Sequence, residues 1–133
     1  MNEKFLTTPY APGAVVLARV MNPLQHAASR GKVRPVCLVR RDGGRWQVVG
    51  LTSRRTYATG CPRTPVPNPA LVGLRGPGFL WGRATWISAL DLYEQIGWVD
   101  PQLASLMTLV GGLTPDDDRT VQRAAREHHD VLG

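Results

Sequence analysis

Residues 31–53 read GKVRPVCLVRRDGGRWQVVGLTS, two apolar runs separated by Asp42-Gly43-Gly44. Valines fill both runs and glycines between them supply the positive φ of a tight turn, so the segment predicts a β-hairpin with strands over 33–41 and 45–53. Antiparallel neighbours set the first residue of one strand beside the last of the other. Arg34 opens the first run, while Thr52 and Ser53 close the second. The hairpin therefore brings a guanidinium and hydroxyls to the same edge of the sheet, where they would flank a site the size of a phosphate.

Outward from the hairpin, AVVLARV (14–20) follows Gly13 and predicts a first strand; 21–32 carries proline, small and basic residues without periodicity and predicts a loop. Four prolines between 62 and 69 preclude a regular ladder, because proline donates no hydrogen bond. That leaves 54–69 as a long excursion with at most a short edge strand. Two further strands are expected over 70–76 and 78–88, the second interrupted at Gly82, and a short last one over 94–99. The chain then changes period. Asp100-Pro101 forms an N-cap with proline at the first helical position, and Leu103, Leu106, Met107 and Val110 recur at helical spacing up to Gly111-Gly112. Thr114-Pro115 opens a second helix whose first turn holds Asp116, Asp117 and Asp118, favourable at the positive end of the dipole. Strands followed by helices predict a mainly β fold with C-terminal helices, a compact barrel-like sheet rather than alternating βαβ units.

The length of 133 residues suits one compact domain, with no apolar run long enough to span a membrane and no secretory pattern at the N-terminus. A cytoplasmic protein is expected, with Cys37 and Cys61 as two reduced thiols. Charge is polarised along the chain. Residues 1–90 hold thirteen Lys and Arg against two acids, a balance of +11; residues 91–133 hold three arginines against eight acids, a balance of −5. A basic body attracts polyanions through counterion release. Fourteen of the sixteen basic residues are arginine, whose planar fork suits phosphate, although a GC-rich genome produces the same bias.

The order of these parts resembles the PemK/MazF (Kid) family of type II toxins, which are small SH3-like barrels related to the CcdB type. Gly13 with AVVLARV, Gly31-Lys32-Val33-Arg34-Pro35-Val36, and Val49-Gly50-Leu51-Thr52-Ser53 carry the likeness, which covers about residues 12–110. It implies a homodimeric endoribonuclease that cleaves single-stranded RNA at short sequences without metal or other cofactor. It also implies neutralisation by a cognate antitoxin with an acidic tail. Arg34 matches the active-site arginine of the family's RP motif and Thr52 its active-site threonine. His26, in the loop between the first two strands, matches a histidine that some members use. Lys32, Ser53, Arg54, Arg55 and Arg83 are the expected RNA-binding residues. The barrel domain would span 1–112, including a helix over 101–110, with an acidic helical extension over 113–133.

The chain departs from the family pattern at Leu80-Trp81-Gly82-Arg83-Ala84, where members with RCDQ or LADQ carry an aspartate. A non-catalytic protein of the same fold, binding nucleic acid or a protein target as CcdB does, is the alternative this departure favours. Metal-free RNA cleavage requires the 2′-OH to lose a proton, the leaving 5′-oxygen to gain one, and the crowded phosphate to be stabilised. Arg34 suits the last task, with Arg83 as an alternative electrophile; His26 has the intrinsic pKa for proton transfer. Trp46, Trp81, Trp86 and Trp98 divide between core and base-stacking roles, with at most two on a binding face. Adjacent His128 and His129 diverge by about 100° on a helix and do not chelate one ion; a solvated helix end is expected for them. The acid-rich tail is expected either to be a soluble terminal helix or to fold back over the basic groove.

Overall fold

The computed structural model describes residues 10–20 and 32–129. Six antiparallel strands, β1 (Ala14–Val20), β2 (Lys32–Asp42), β3 (Arg45–Thr52), β4 (Phe79–Leu80), β5 (Thr85–Ser88) and β6 (Leu92–Trp98), precede two helices, α1 (Pro101–Gly111) and α2 (Pro115–His129). The fold is mainly β with C-terminal helices, as the sequence predicts. Strand order is β4-β3-β2-β1-β6, and β3 pairs with β5 along its first half and β4 along its end.

The hairpin forms as expected. Asp42 pairs with Arg45 around Gly43-Gly44, and Gly43 takes φ +61°, which the turn demands. Its runs read as continuously apolar because both faces of β2 and β3 are covered, so alternation disappears. Cys37, Val39, Val49 and Leu51 face a core shared with Val66, Val72, Leu80, α1 (Leu103, Ala104, Met107) and α2 (Val121, Ala125). Val36, Leu38, Trp46 and Val48 face a second core with Ala14, Val16 and Ala18.

Two strand expectations are corrected. Residues 70–76 hold no strand; Ala70–Val72 form a short 3-10 helix with Gly73 left-handed after it (φ +96°), since Pro69 fixes a helical φ at its start. Residues 78–88 are two strands, β4 and β5, split around Trp81-Gly82-Arg83-Ala84. The excursion over 54–69 holds only isolated bridges, Thr56 with Pro62 and Pro65 with Phe79.

Asp100 caps α1, accepting from Leu103 N–H at 3.0 Å, and its other oxygen accepts from Asn68 Nδ2 at 2.7 Å, tying the excursion to the helix. Within the chain, α2, the described part of the acidic tail, lines none of the cavities of the basic groove described below. Helix α2 packs on α1, and Asp117 pairs with Arg40 at 3.6 Å. Nor is the end of α2 merely solvated: His128 stacks on Trp98 with centroids 3.5 Å apart, and His129 Nε2 donates to the Trp98 carbonyl at 2.8 Å.

The two thiols differ sharply. Burial, reinforced by the Asp100 charge, pushes Cys37 up to about 12, whereas Cys61 is exposed. Only a thiolate reacts with a disulfide reagent. Native protein at pH 8 is expected to release one equivalent of chromophore from such a reagent promptly and the second only with denaturant. Prompt release of two would contradict the buried position of Cys37.

Candidate functional site: an arginine-rich groove

Register builds the site. Val36 pairs with Gly50, and two residues further along, the same register sets Arg34 opposite Thr52. Both side chains leave the face that carries Val36 and Val48, beyond the apolar packing of that face. Arg34 Nη1 donates to Thr52 Oγ1 at 3.2 Å, and the backbone N–H of Arg54 donates to the same oxygen at 3.2 Å. Thr52 is 4% exposed, so its hydroxyl is fixed by two donors while no described residue accepts its own hydrogen. That hydrogen is available to an anion in the groove.

The Arg34 guanidinium carbon sits 4.5 Å from the Trp81 ring centroid. Trp81 rests on β3: its N–H donates to the Gly50 carbonyl at 2.8 Å, and a methyl at Gly50 would lie 3.4 Å from Trp81 Cβ. That is ordinary contact, so Trp81 packs directly over the Gly50 position while its ring carries Arg34.

Arg34 borders three adjoining cavities. One of about 360 Å³ runs between Thr52-Ser53-Arg54 and the Leu74–Gly78 loop and includes Lys32. A second, about 580 Å³, is lined by Lys32, Arg54, Arg55, Tyr57 and Arg63. A third, about 400 Å³, is lined by Val36, Val48, Trp81, Arg83 and Thr85. Among the described residues, none of the three has an acid or histidine in its lining.

Arg34, Arg54, Arg55 and Arg63 have no carboxylate partner among the described residues, whereas Arg40, Arg45 and Arg119 are paired with Asp117, Asp42 and Asp116. Burial first, and then the charges of Arg54 and Arg63, hold Arg34 below the ordinary arginine value. Arginine nevertheless remains a cation at neutral pH. Uncompensated like charge of this kind opposes folding and favours an entering anion.

The structure brings Lys32, Arg34, Thr52, Ser53, Arg54 and Arg55 to this groove. Arg83 lines the third cavity beside Arg34, and its head lies at the end of α1, where a methyl on Gly112 would be 2.8 Å from Nη2. His26 lies outside the described residues. Of the tryptophans, Trp46 is core, Trp98 carries His128, Trp86 lies under Arg40 and Arg45, and Trp81 alone belongs to the groove. Sequence reading missed Tyr57 and Arg63. A proline-rich excursion with no periodicity offers no register from which their positions follow.

No known family model matches this chain, and no curated protein matches it. A solved structure does. Toxin MazF-mt6 of Mycobacterium tuberculosis is similar over 88% of this chain and 96% of its own, with 21% sequence identity and a TM-score of 0.45. Among the described residues, no helix is long and apolar enough to cross a membrane.

Proposed function

We propose that the chain is a toxin-type endoribonuclease that cleaves single-stranded RNA without metal, with Arg34 and Thr52 as the groups that hold the scissile phosphate. The observation that carries this reading is the 3.2 Å contact between Arg34 and Thr52 inside a groove of unpaired arginines. The motif resemblance through Lys32-Val33-Arg34-Pro35 and Leu51-Thr52-Ser53 points the same way.

In the proposed reaction the 2′-oxygen attacks phosphorus, the bond to the 5′-oxygen breaks, and the products are a 2′,3′-cyclic phosphate and a 5′-OH. One proton leaves the 2′-OH and one reaches the 5′-oxygen. Charge accumulates on the non-bridging oxygens at the crowded phosphorus, where the fork of Arg34 donates and the Thr52 hydroxyl supplies its unused hydrogen. Lys32, Ser53, Arg54 and Arg55 track the strand on either side. His26 is the proposed proton-transfer group. A homodimer in the cytoplasm, neutralised by an antitoxin whose acidic tail enters the groove, completes the proposal, with 113–133 as an extension of the barrel domain.

A second reading, a binder of nucleic acid without cleavage, is favoured by the absence of any acid or histidine from the described lining of the groove. One assay separates the two. Incubated with a long single-stranded RNA in EDTA, the enzyme yields discrete fragments ending in 2′,3′-cyclic phosphate, and Thr52→Ala reduces their rate about tenfold or more, the size of one lost hydrogen bond to a charged group. Intact RNA with a salt-dependent mobility shift rejects the enzyme and leaves the binder.

A further inference from the structure

Arg63 has no place in the motif resemblance, yet its guanidinium is the most heavily organised in the groove. Its carbon lies 4.2 Å from the Tyr57 ring centroid and 5.2 Å from that of Trp81. Nη1 donates to the Trp81 carbonyl, and Nε donates to the Thr56 carbonyl at 3.4 Å. Arg63 N–H also donates to the Arg55 carbonyl at 2.8 Å. Held from both edges, the fork presents Nη2, neither of whose hydrogens has an acceptor among the described residues. No carboxylate among the described residues neutralises it.

Both the Arg34 and Arg63 guanidinium carbons lie within 5.2 Å of the same Trp81 centroid, so they are separated by at most twice that distance. They also line one continuous cavity of about 580 Å³ with Lys32, Arg54 and Arg55. Arg34, Trp81, Arg63 and Tyr57 thus form a ladder in which each ring has a cation against it. Trp81 and Tyr57 thereby orient cations within the groove. Two fixed forks within the reach of neighbouring phosphates on one strand match a polyphosphate backbone better than a single anion.

We infer that Arg63 is a second phosphate-binding guanidinium, holding the phosphate next to the one held by Arg34 and so fixing the path of a single RNA strand through the groove. The inference rests on the RNA reading above. Its ligand class is single-stranded RNA contacted through two successive phosphates.

The test uses 2′-O-methyl RNA, which lacks the attacking hydroxyl and reports binding alone. Sequence-randomised pools of dinucleotides with one phosphate, trinucleotides with two, and decamers are bound to parent, Arg34→Ala, Arg63→Ala and Arg63→Lys proteins. Arg63→Ala is expected to weaken the trinucleotide roughly tenfold while leaving the dinucleotide unchanged, as loss of one charged contact does. For the decamer it is expected to flatten the slope of log K against log salt by about 0.7, one single-strand phosphate, and Arg63→Lys should retain the slope. Loss of decamer affinity with no change of slope would make Arg63 a loop tether and overturn the inference. So would equal weakening of dinucleotide and trinucleotide, which would place both arginines on one phosphate. Failure of the RNA reading registers separately, as Arg34→Ala binding both short pools as well as the parent does.

Discussion

Arg34→Ala is expected to lower RNA cleavage by about 10²- to 10³-fold, the loss typical of removing one transition-state oxyanion donor, while the melting temperature stays close to that of the parent. The two halves of this result follow from one geometry. Arg34 is the shared wall of three cavities and the donor to Thr52, so its removal empties the point at which an anion is held. It is also a cation pressed towards Arg54 and Arg63, and deleting it relieves repulsion that offsets the lost hydrogen bond and the lost contact with Trp81. The Arg54 N–H still donates to Thr52, so no buried hydroxyl is orphaned. Arg34→Lys is expected to behave more like alanine than like arginine, because a point charge neither forks to two oxygens nor lies flat on an indole. Rates in EDTA and thermal melts of the same preparations check both halves. A melting temperature that falls with activity would make Arg34 a structural residue.

How far the sequence reveals this site depends on what fixes each residue's position. Hairpin register is largely a local property: counting back from the Gly43-Gly44 turn puts Arg34 across from Ser53, and a bulge between Leu38 and Arg40, which no turn signal announces, shifts the register by one and brings Thr52 opposite Arg34 instead. Helix α1 was legible for the same reason, since the Asp100 cap and the Gly112 C-cap are both local signals. The interval 54–78 is governed by contacts distant in sequence. Asn68 reaches Asp100 and Gln102, and Arg63 reaches Trp81. No periodicity encodes such contacts, so the apolar string ALVGL at 70–74 imitated a strand although Pro69 starts it as a 3-10 helix. The same is true of α2. Its three aspartates suggest a solvated face, but Asp117 is largely buried against Arg40, and Val121 and Ala125 enter the core.

The wall of the groove opposite Thr52 depends on two glycines whose role emerges only in three dimensions. Gly97 in β6 and Gly73 after the 3-10 helix let two backbones touch. A methyl on Gly97 would lie 2.3 Å from the Val72 carbonyl oxygen, and one on Gly73, already at φ +96°, would lie 2.1 Å from the Ile96 carbonyl oxygen. Both obstacles are main chain, so the clash cannot be relieved by turning a side chain; the 3-10 helix must lift from β6. Val72 would leave the core with it, and Leu74–Gly78, which continue from that helix, would move away from Thr52. Gly97→Ala is therefore expected to cost about 3 kcal/mol or more, the upper range of overpacking, and to lower the melting temperature on the order of 10 °C for a domain of this size. RNA affinity should fall as well, since one side of the groove is displaced. Gly76→Ala is the control for stability: the position, three residues beyond Gly73, has open space around it and no left-handed φ, so a methyl there should leave the melting temperature unchanged. If Gly97→Ala melted with the parent, β6 and the 3-10 helix could not be in backbone contact. The Leu74–Gly78 wall would then have to be held by the Val66 N–H bond to the Gly78 carbonyl, the Leu74 N–H bond to the Pro69 carbonyl and the Asn68 bonds to Asp100 and Gln102.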